Sequence, residues 1–170
     1  MDAYLAVVSK REVREYADRS VPAADLDKIL QAGRATGSAR NRQPWRFVLV
    51  TDRQRLRALA RFVAAPPNLE GCAAAIAISM PSAGQGFDAG RAAQNMMLAA
   101  WSLGIGSCPN SVVDQDQARE VLEVASDRHI QIILSLGYPR RAPRLEATAA
   151  EAVLERIDRR PLDELVQRLD

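Results

Sequence analysis

The sequence predicts an α+β fold in which one mixed β-sheet is covered by helices. Short apolar runs typical of buried strands alternate with longer stretches in which apolar residues recur at helical spacing. These strands and helices do not follow one another as regular βαβ units, which argues against a wholly parallel sheet. The 170 residues contain no internal repeat and no low-complexity linker, so we expect a single domain over residues 1–170.

The first half of the chain predicts two helices and one strand. In residues 22–33 the apolar side chains fall at helical spacing, and Pro22 stands where a first turn tolerates proline. "RFVLVTD" (46–52) is a β-branched run typical of a short buried strand. Residues 52–63 form an amphipathic pattern that predicts a second helix. The two prolines and the glycine of "VAAPPNLEG" (63–71) predict a loop.

The strongest helical pattern lies in the middle of the chain. "CAAAIAISM" (72–80) predicts a buried strand, and "PSAGQG" (81–86) predicts a turn after it. Residues 87–104 then place small and apolar side chains at positions i, i+3, i+4 and i+7. We expect Asp88 to cap this helix and Gly104 to end it. Trp45, Met96, Met97 and Trp101 are interpreted as packing residues.

The last third of the chain predicts one more helix and one more strand. Residues 114–125 form the helix, and "HIQIILSLGYP" (129–139) is a buried strand that ends at a turn. His129 opens that strand and is interpreted as a structural residue. A charged tail containing "RRPLDELV" (159–166) follows.

Composition excludes several functional classes. The formal charge of +2 is too small to indicate nucleic-acid binding. The N-terminus lacks the basic and apolar regions of a signal peptide, and no apolar run reaches the length of a membrane span, so we expect a cytoplasmic protein with no membrane partner. Cys72 and Cys108 form no CxxC pair, and His129 is the only histidine, so no metal site is expected. Hydrolase and Rossmann motifs are also absent.

Polar and basic segments are the remaining candidates for a site. "TGSARNRQPWRFVLV" (36–50) places more hydrogen-bonding side chains ahead of a buried strand than a connection requires. Arginines cluster in "KREVR" (10–14), "RNR" (40–42) and "RR" (159–160). Arginine pairs bind phosphate through charge-assisted hydrogen bonds, although each cluster taken alone also fits a solvated surface. "LGIGSCPN" (103–110) contains a GxG that follows a helix, and by itself it is a weak signal.

Together these segments resemble the nitroreductase-like flavoprotein family. "KREVREY" is similar to the opening of that family, and "GSARNRQPWRFVLV" is similar to its Ser-x-x-Asn-x-Gln-Pro-Trp signature. "DAGRAAQNMMLAAWSLGIGSC" is similar to the family's long helix and the turn after it, and "LSLGYP" and "RRPLDELV" to its ending. The resemblance implies the nitroreductase fold in a homodimer, with FMN sites at the subunit interface.

The resemblance also implies which residues hold FMN. Segment 10–14, with residues 159–160, would surround the phosphate. Segment 38–43 would contact the ribityl chain or ring edge, reaching across the dimer interface. Asn68 is a candidate for the pyrimidine edge, and a turn at 108–111 would lie against the isoalloxazine ring. The implied cofactor-binding residues are Lys10, Arg11, Glu12, Arg14, Ser38, Asn41, Gln43, Asn68, Pro109, Asn110, Ser111, Arg159 and Arg160.

The implied activity is FMN-dependent oxidoreduction. NADH or NADPH would give hydride to the flavin, and a nitroaromatic, quinone or similar flat acceptor would then be reduced, in a ping-pong mechanism. No catalytic side chain and no metal are needed. The alternatives are an oxidase or dehydrogenase of a specialised metabolite, use of a deazaflavin, or a flavin carrier without turnover.

Two features depart from the family pattern. Glu12 stands where a serine or threonine is usual, and a carboxylate beside a phosphate is repulsive. Either its side chain turns away to pair with an arginine, or the phosphate site is altered. The chain is also short, so we expect the substrate pocket to be open or covered by residues 81–87 or the partner chain. The long helix carries more small apolar surface than we expect one chain to cover, which also favours a dimer.

Overall fold

The structure is a computed structural model that describes residues 2–81, 86–141 and 149–169. Its helices are α1 (Ala3–Ser9), α2 (Ala23–Arg34), α3 (Arg53–Ala60), α4 (Pro67–Glu70), α5 (Gly86–Ser102), α6 (Gln115–Leu122) and α7 (Ala150–Leu154). Its strands are β1 (Arg46–Val50), β2 (Ala74–Pro81), β3 (Gly106–Asn110) and β4 (Arg128–Gly137). Short 3-10 turns lie at Ala39–Asn41 and Leu162–Glu164. These elements confirm the α+β class.

The four strands form one sheet in the order β1-β2-β4-β3, and every neighbouring pair is antiparallel. The prediction of a mixed sheet was therefore wrong. Strands β2 and β3 do run in the same direction, as their connection through α5 allows, but β4 lies between them. Among the described residues, parallel pairing is confined to an isolated bridge between Glu12 and Ser107.

Helices cover both faces of the sheet. On one face α2 and α5 bury Ile29 and Met96 against Ile76 of β2, and on the other α3, α4 and α6 bury residues such as Leu56 against Ala77. Successive residues of a strand point to opposite faces, so β2 contributes to both cores. This explains why its sequence is apolar throughout and does not alternate with polar residues.

The starts of α2, α3, α5 and α6 lie within one residue of the predicted positions, whereas α3 and α6 end three residues earlier than predicted. Side chains of Asp52 and Asp114 accept hydrogen bonds from the backbone N–H three residues on, at the starts of α3 and α6. Helix α5 ends at Ser102, and Gly104 follows with a φ of 75°, as in a glycine C-cap. The prediction for Asp88 was wrong, because this residue lies inside the first turn of α5. At this position its negative charge interacts favourably with the helix dipole.

Four elements were not predicted, namely α1, α4, α7 and β3. Strand β3 matters most, because residues 108–110 of the predicted turn belong to it. Its sequence, "GSCPN", has low β-propensity, and the pairing of Cys108 with Ser135 comes from tertiary contacts. Pro109 is tolerated because β3 is the last strand of the sheet. Residues 82–85 of the predicted 81–86 turn lie outside the described residues.

Candidate functional site

The basic segment 10–14 lies along the free edge of β3. The Val13 N–H donates to Ser107 O at 2.9 Å, beside the parallel bridge between Glu12 and Ser107. Gly106 permits this approach, since a Cβ at that position would come within 2.6 Å of the Val13 Cβ. Two segments that are far apart in the sequence, and that were both predicted to contact a cofactor, are thereby brought together.

Glu12 forms an ion pair with Lys10 inside this segment. The Lys10 Nζ lies 2.5 Å from Glu12 Oε1 and 3.4 Å from Met97 Sδ of α5. The Lys10 side chain is only 7% exposed, whereas that of Glu12 is 37% exposed. Pairing of Glu12 was expected with an arginine, and its partner is the lysine. Arg11 and Arg14 are therefore not neutralised by Glu12.

Arg11 and Arg14 are the exposed cations of the segment. The Arg11 Nη1 donates to Val8 O at 2.8 Å and to Lys10 O at 2.9 Å, at the C-terminal end of α1. Cations are favoured there because helix carbonyls point outward. Arg14 lies by Cys108, whose thiol it contacts. The Arg14 guanidinium is thus held beside β3, and that of Arg11 against the end of α1.

The charges of segment 10–14 surround the thiol of Cys108. Burial raises the pKa of this thiol, and the carboxylate of Glu12 raises it further. Arg14 and Lys10 act in the opposite direction without overcoming burial. Cys108 therefore remains a neutral thiol at physiological pH, which does not suit a nucleophile.

Asn68 of α4 and Asn110, the last residue of β3, are hydrogen-bonded to each other. The Asn68 Nδ2 donates to Asn110 Oδ1 at 2.8 Å and approaches Cys108 Sγ at 3.7 Å. Both asparagines are buried, being 6% and 2% exposed. Asn110 in turn donates to backbone oxygens of Cys108 and Ile133. Their amide hydrogens are thus bound within the chain, and what these two side chains can offer a cofactor is positioning. Pro109 and Ser111, the residues on either side of Asn110, are exposed.

Segment 38–43 forms a compact turn with unusual backbone angles. Arg40, Asn41 and Gln43 have φ values of 53°, 54° and 48°. The Ser38 Oγ accepts from Gln43 N at 2.9 Å, and Gln43 Nε2 donates to Asn41 Oδ1 at 3.1 Å. Positive φ costs on the order of 1–3 kcal/mol for each such residue, and clusters of this kind occur at functional sites. The predicted Ser38, Asn41 and Gln43 thus form one unit.

This turn is fastened to α5 by residues that the sequence analysis missed. Arg91 Nη1 donates to Gly37 O at 2.9 Å, and Asn95 Nδ2 donates to the buried Thr36 Oγ1 at 2.9 Å. After the turn, Trp45 is buried and stacks on Phe47, which confirms its interpretation as a packing residue. In the sequence, the polar residues Arg91 and Asn95 stand within a largely apolar helix, and this pattern could have indicated that they bind a neighbouring segment.

Arg159 and Arg160 make local contacts. Arg159 Nη1 donates to Asp158 O at 2.6 Å, and Arg160 Nε lies 3.1 Å from Glu164 Oε2. Both side chains are exposed, and the partners shown for them, Asp158 and Glu164, belong to the tail itself. The nearby helix α7 lies against α1, which precedes that segment. Their role at a phosphate stays a prediction.

The site contains cations, backbone groups and amides. Among the residues that the structure describes, no three His, Cys, Asp or Glu side chains form a metal cluster. No helix within the described ranges is long and apolar enough to cross a membrane. Such an arrangement can bind an anion beside a flat group, and a reaction there needs chemistry supplied by a cofactor.

The fold and the site define an α+β protein with a basic segment on the edge of its sheet. Comparisons with known proteins identify its family. The sequence profile of the Nitroreductase family matches residues 7–85 and 81–138. A protein of Archaeoglobus fulgidus, provisionally named an NADH dehydrogenase/NAD(P)H nitroreductase, is 31% identical over 145 residues, covering 79% of this chain and 83% of that protein. This chain therefore belongs to the Nitroreductase family.

Solved structures agree with this assignment. An FMN-dependent nitroreductase from Clostridium difficile R20291 is 27% identical with a TM-score of 0.77, covering 92% of this chain and 97% of that one. A protein of Desulfovibrio desulfuricans, provisionally assigned as a nitroreductase and solved in complex with FMN, is 25% identical with a TM-score of 0.79. That match covers 100% of this chain and 98% of the other.

Proposed function

We propose that this protein is an FMN-dependent oxidoreductase that uses NADH or NADPH as electron donor. The observation that carries the proposal is the docking of the basic segment 10–14 onto β3 through Val13 and Ser107. Family membership and the FMN named for two similar structures support the same cofactor. When bound, FMN would supply the redox chemistry, taking two electrons from the reduced nicotinamide and then reducing a nitroaromatic, quinone or similar flat acceptor by a ping-pong mechanism.

The charge of the segment fits a flavin phosphate. Lys10, Arg11 and Arg14 carry three positive charges and Glu12 one negative charge, so the net charge of segment 10–14 is two positive units. A phosphate monoester carries about 1.5 to 2 negative charges at neutral pH. Arg11 and Arg14 would bind its oxygens directly, with Arg159 or Arg160 completing the site. Lys10 would contribute after partial release from Glu12.

The remaining contacts would hold the rest of FMN. The edge of β3 at Cys108–Asn110, where Pro109 is the exposed residue, would lie along the ring, followed by Ser111, and Asn68 would support it from within the chain. Segment 38–43 would bind the ribityl chain or ring edge of the flavin in the partner chain. The structure offers donors and acceptors of the right kind on both segments, and Ser38, Asn41 and Gln43 are already held in one turn.

A homodimer is part of the proposal, although its support differs from what the sequence suggested. The small residues of α5, such as Ala92 and Ala100, are buried within the chain against α2 and the sheet. Apolar side chains are exposed instead on α1 and along the tail. They are Tyr4 and Val7 on α1 and Leu154, Leu162, Leu165, Val166 and Leu169 after residue 150. An exposed apolar surface of this kind favours an interface.

A cytoplasmic location also belongs to the proposal. Cys72 and Cys108 are both buried and free, which suits a reducing compartment.

Anaerobic reduction tests the proposed function. The purified protein should be yellow, or become so after FMN is added, and NADH or NADPH should bleach the flavin absorbance. Bleaching that one of the two nucleotides causes much faster would also identify the donor. A yellow protein that neither nucleotide bleaches would overturn the proposal in favour of a carrier or a substrate-driven oxidase. A protein that binds a deazaflavin and not FMN would replace the cofactor.

A further inference from the structure

Four buried or half-buried polar side chains lie in a row behind β3. Asn68 Nδ2 is 2.8 Å from Asn110 Oδ1, and Asn110 Nδ2 is 3.2 Å from Ser135 Oγ. The Ser135 Oγ lies 2.8 Å from the Tyr16 hydroxyl, which lies 2.6 Å from Val13 O. The row therefore connects α4, β3 and β4 through side chains, and it reaches segment 10–14 at the backbone carbonyl of Val13.

The shortest distances assign the donors in this row one direction. Val13 O can only accept, and it is the nearest acceptor to the Tyr16 hydroxyl, at 2.6 Å against 3.3 Å for Ser135 O. Ser135 can donate to the Tyr16 oxygen at 2.8 Å or to Cys108 O at 3.2 Å, and the shorter contact continues the row. The Ser135 oxygen can accept from Asn110 Nδ2, which also lies within hydrogen-bond distance of two backbone oxygens. Asn110 Oδ1 accepts from Asn68, since an amide oxygen has no hydrogen to give. Hydrogen bonds aligned in this way polarise and strengthen one another in a buried environment.

Both ends of the row, and its middle, belong to segments of the proposed flavin site. Val13 lies between Glu12 and Arg14 at the phosphate end. Asn110 belongs to the strand proposed to contact the ring, and its Nδ2 also donates to Cys108 O at 2.9 Å. Burial raises the pKa of the Tyr16 hydroxyl well above its usual range, so its proton is retained at physiological pH.

We propose that this row, named here the Tyr16–Asn68 chain, couples the phosphate end of the flavin site to its ring end. The side chains of Tyr16, Ser135 and Asn110 act as positioning groups that contact no flavin atom themselves. The proposal rests on the proposed function, because it assigns the row a role in FMN binding. A purely structural role would affect only stability. Under this proposal, a change at the phosphate end of the row should also alter the spectrum and the midpoint potential of the flavin ring.

The substitution Tyr16→Phe removes only the hydroxyl and tests the coupling. We expect FMN to bind about three- to tenfold more weakly, as for loss of one buried hydrogen bond. We also expect the ratio of affinities for oxidised and reduced FMN to change at least about threefold, where a tenfold change corresponds to about 30 mV in midpoint potential. The absorbance spectrum of the bound flavin should shift as well.

Tyr138→Phe is the matched control, because it makes the same chemical change outside the row. Tyr138 packs under Arg19, whose guanidinium lies 3.8 Å from the ring centroid. All spectra and potentials are measured at saturating FMN, well below the unfolding temperature. If Tyr16→Phe lowers thermal stability but leaves the affinity ratio and spectrum equal to those of Tyr138→Phe, the coupling proposal is overturned.

A second variant keeps the test decisive if Tyr16→Phe does not fold. Ser135→Ala, on β4, breaks the same row, and it should shift the ratio of affinities for oxidised and reduced FMN and the absorbance spectrum in the same way. A wild-type protein that binds no FMN would refute the proposed function, and with it this inference. A wild-type protein that binds FMN, with both variants unchanged at the ring, would refute the coupling alone.

Discussion

The ion pair between Lys10 and Glu12 places a carboxylate inside the proposed phosphate site. The lysine is nearly buried, so an unpaired ammonium there would be costly, and Glu12 neutralises it while no phosphate is bound. A bound phosphate would offer the same lysine a second anion. We therefore expect Glu12 to stabilise the FMN-free protein and to weaken FMN binding.

Glu12→Ser should tighten FMN binding. Removing the carboxylate relieves repulsion of the phosphate and frees Lys10, and we expect about a tenfold gain, equivalent to about 1.4 kcal/mol. The thermal midpoint of the FMN-free protein should fall, because Lys10 loses its partner. Titration of FMN against riboflavin isolates the phosphate, since riboflavin affinity should change little.

Glu15→Gln serves as the control for that measurement, because Glu15 is exposed and its side chain makes no ion pair with the residues that the structure describes. Equal changes in FMN and riboflavin affinity in Glu12→Ser would show that the carboxylate does not act on the phosphate.

Cys72 makes stability fall at alkaline pH. Burial raises its pKa from 9.0 to about 11. The unfolded thiol loses its proton near pH 9 and the folded thiol near pH 11. Its contribution is therefore fully present below pH 9 and is lost as pH rises to 11, by up to about 3 kcal/mol. Tyr16 and Cys108, whose pKa values burial also raises, act in the same direction.

Denaturant unfolding between pH 8 and 11 measures this loss. Cys72→Ala should unfold with a shallower pH dependence than the wild type, because the remaining slope comes from the other two groups. Identical slopes for the two proteins would contradict the assignment to Cys72.

At the scale of elements, the contact between segment 10–14 and β3 depends on Gly106. Gly106→Ala should push the segment away, because its Cβ would meet Val13 atoms at 2.6–2.8 Å. We expect a loss of about 1–3 kcal/mol in the free energy of unfolding, as for overpacking, together with weaker FMN binding. Unfolding by denaturant and FMN titration measure the two effects.

Gly90→Ala is the matched control, since a Cβ there meets nothing within 4 Å in the middle of α5. It should stabilise the protein by about 0.5–1 kcal/mol, the helix preference of alanine over glycine, and leave FMN affinity unchanged. Wild-type FMN affinity in Gly106→Ala would show that the segment's position does not control binding.

The same elements show how far the sequence predicts the fold. Helices α2, α3, α5 and α6 and strands β1, β2 and β4 follow from apolar periodicity and capping residues, which are local signals. Strand β3 does not, because a Gly-Ser-Cys-Pro-Asn sequence becomes a strand only through pairing with β4. Helix α1 is short, and only its Asp2 cap marked its start.

The candidate site was predictable to a similar extent. The family motifs select segments 10–14, 38–43 and 108–111, because those patterns are contiguous in sequence. Tyr16 and Ser135 could not be assigned to it, because their hydrogen bond joins residues 119 positions apart. The pairing of Glu12 with Lys10 could not be predicted from the sequence either, because several cations lie near this one carboxylate in the chain.

At the scale of the whole molecule, exposed apolar residues lie near α1 and along the tail, and the strained turn 38–43 lies on the surface. Covering both by a second copy would bury the apolar side chains and give the turn a ligand to hold. In a two-fold symmetric dimer the two sites would be equivalent, each combining segment 10–14 of one chain with segment 38–43 of the other.

A flavin site completed by two chains is tested most directly by mixing two inactive variants. Arg14→Ala removes a proposed phosphate contact and Asn41→Ala a contact proposed to come from the partner, so each variant alone should lose most NAD(P)H-dependent reduction activity. After joint unfolding and refolding, random pairing makes about half of the dimers mixed, and each mixed dimer has one intact site of two. The mixture should therefore regain about a quarter of wild-type activity, as expected for that symmetry. Activity no higher than the average of the two separately refolded variants, or a fully active monomer in sedimentation, would contradict the shared site.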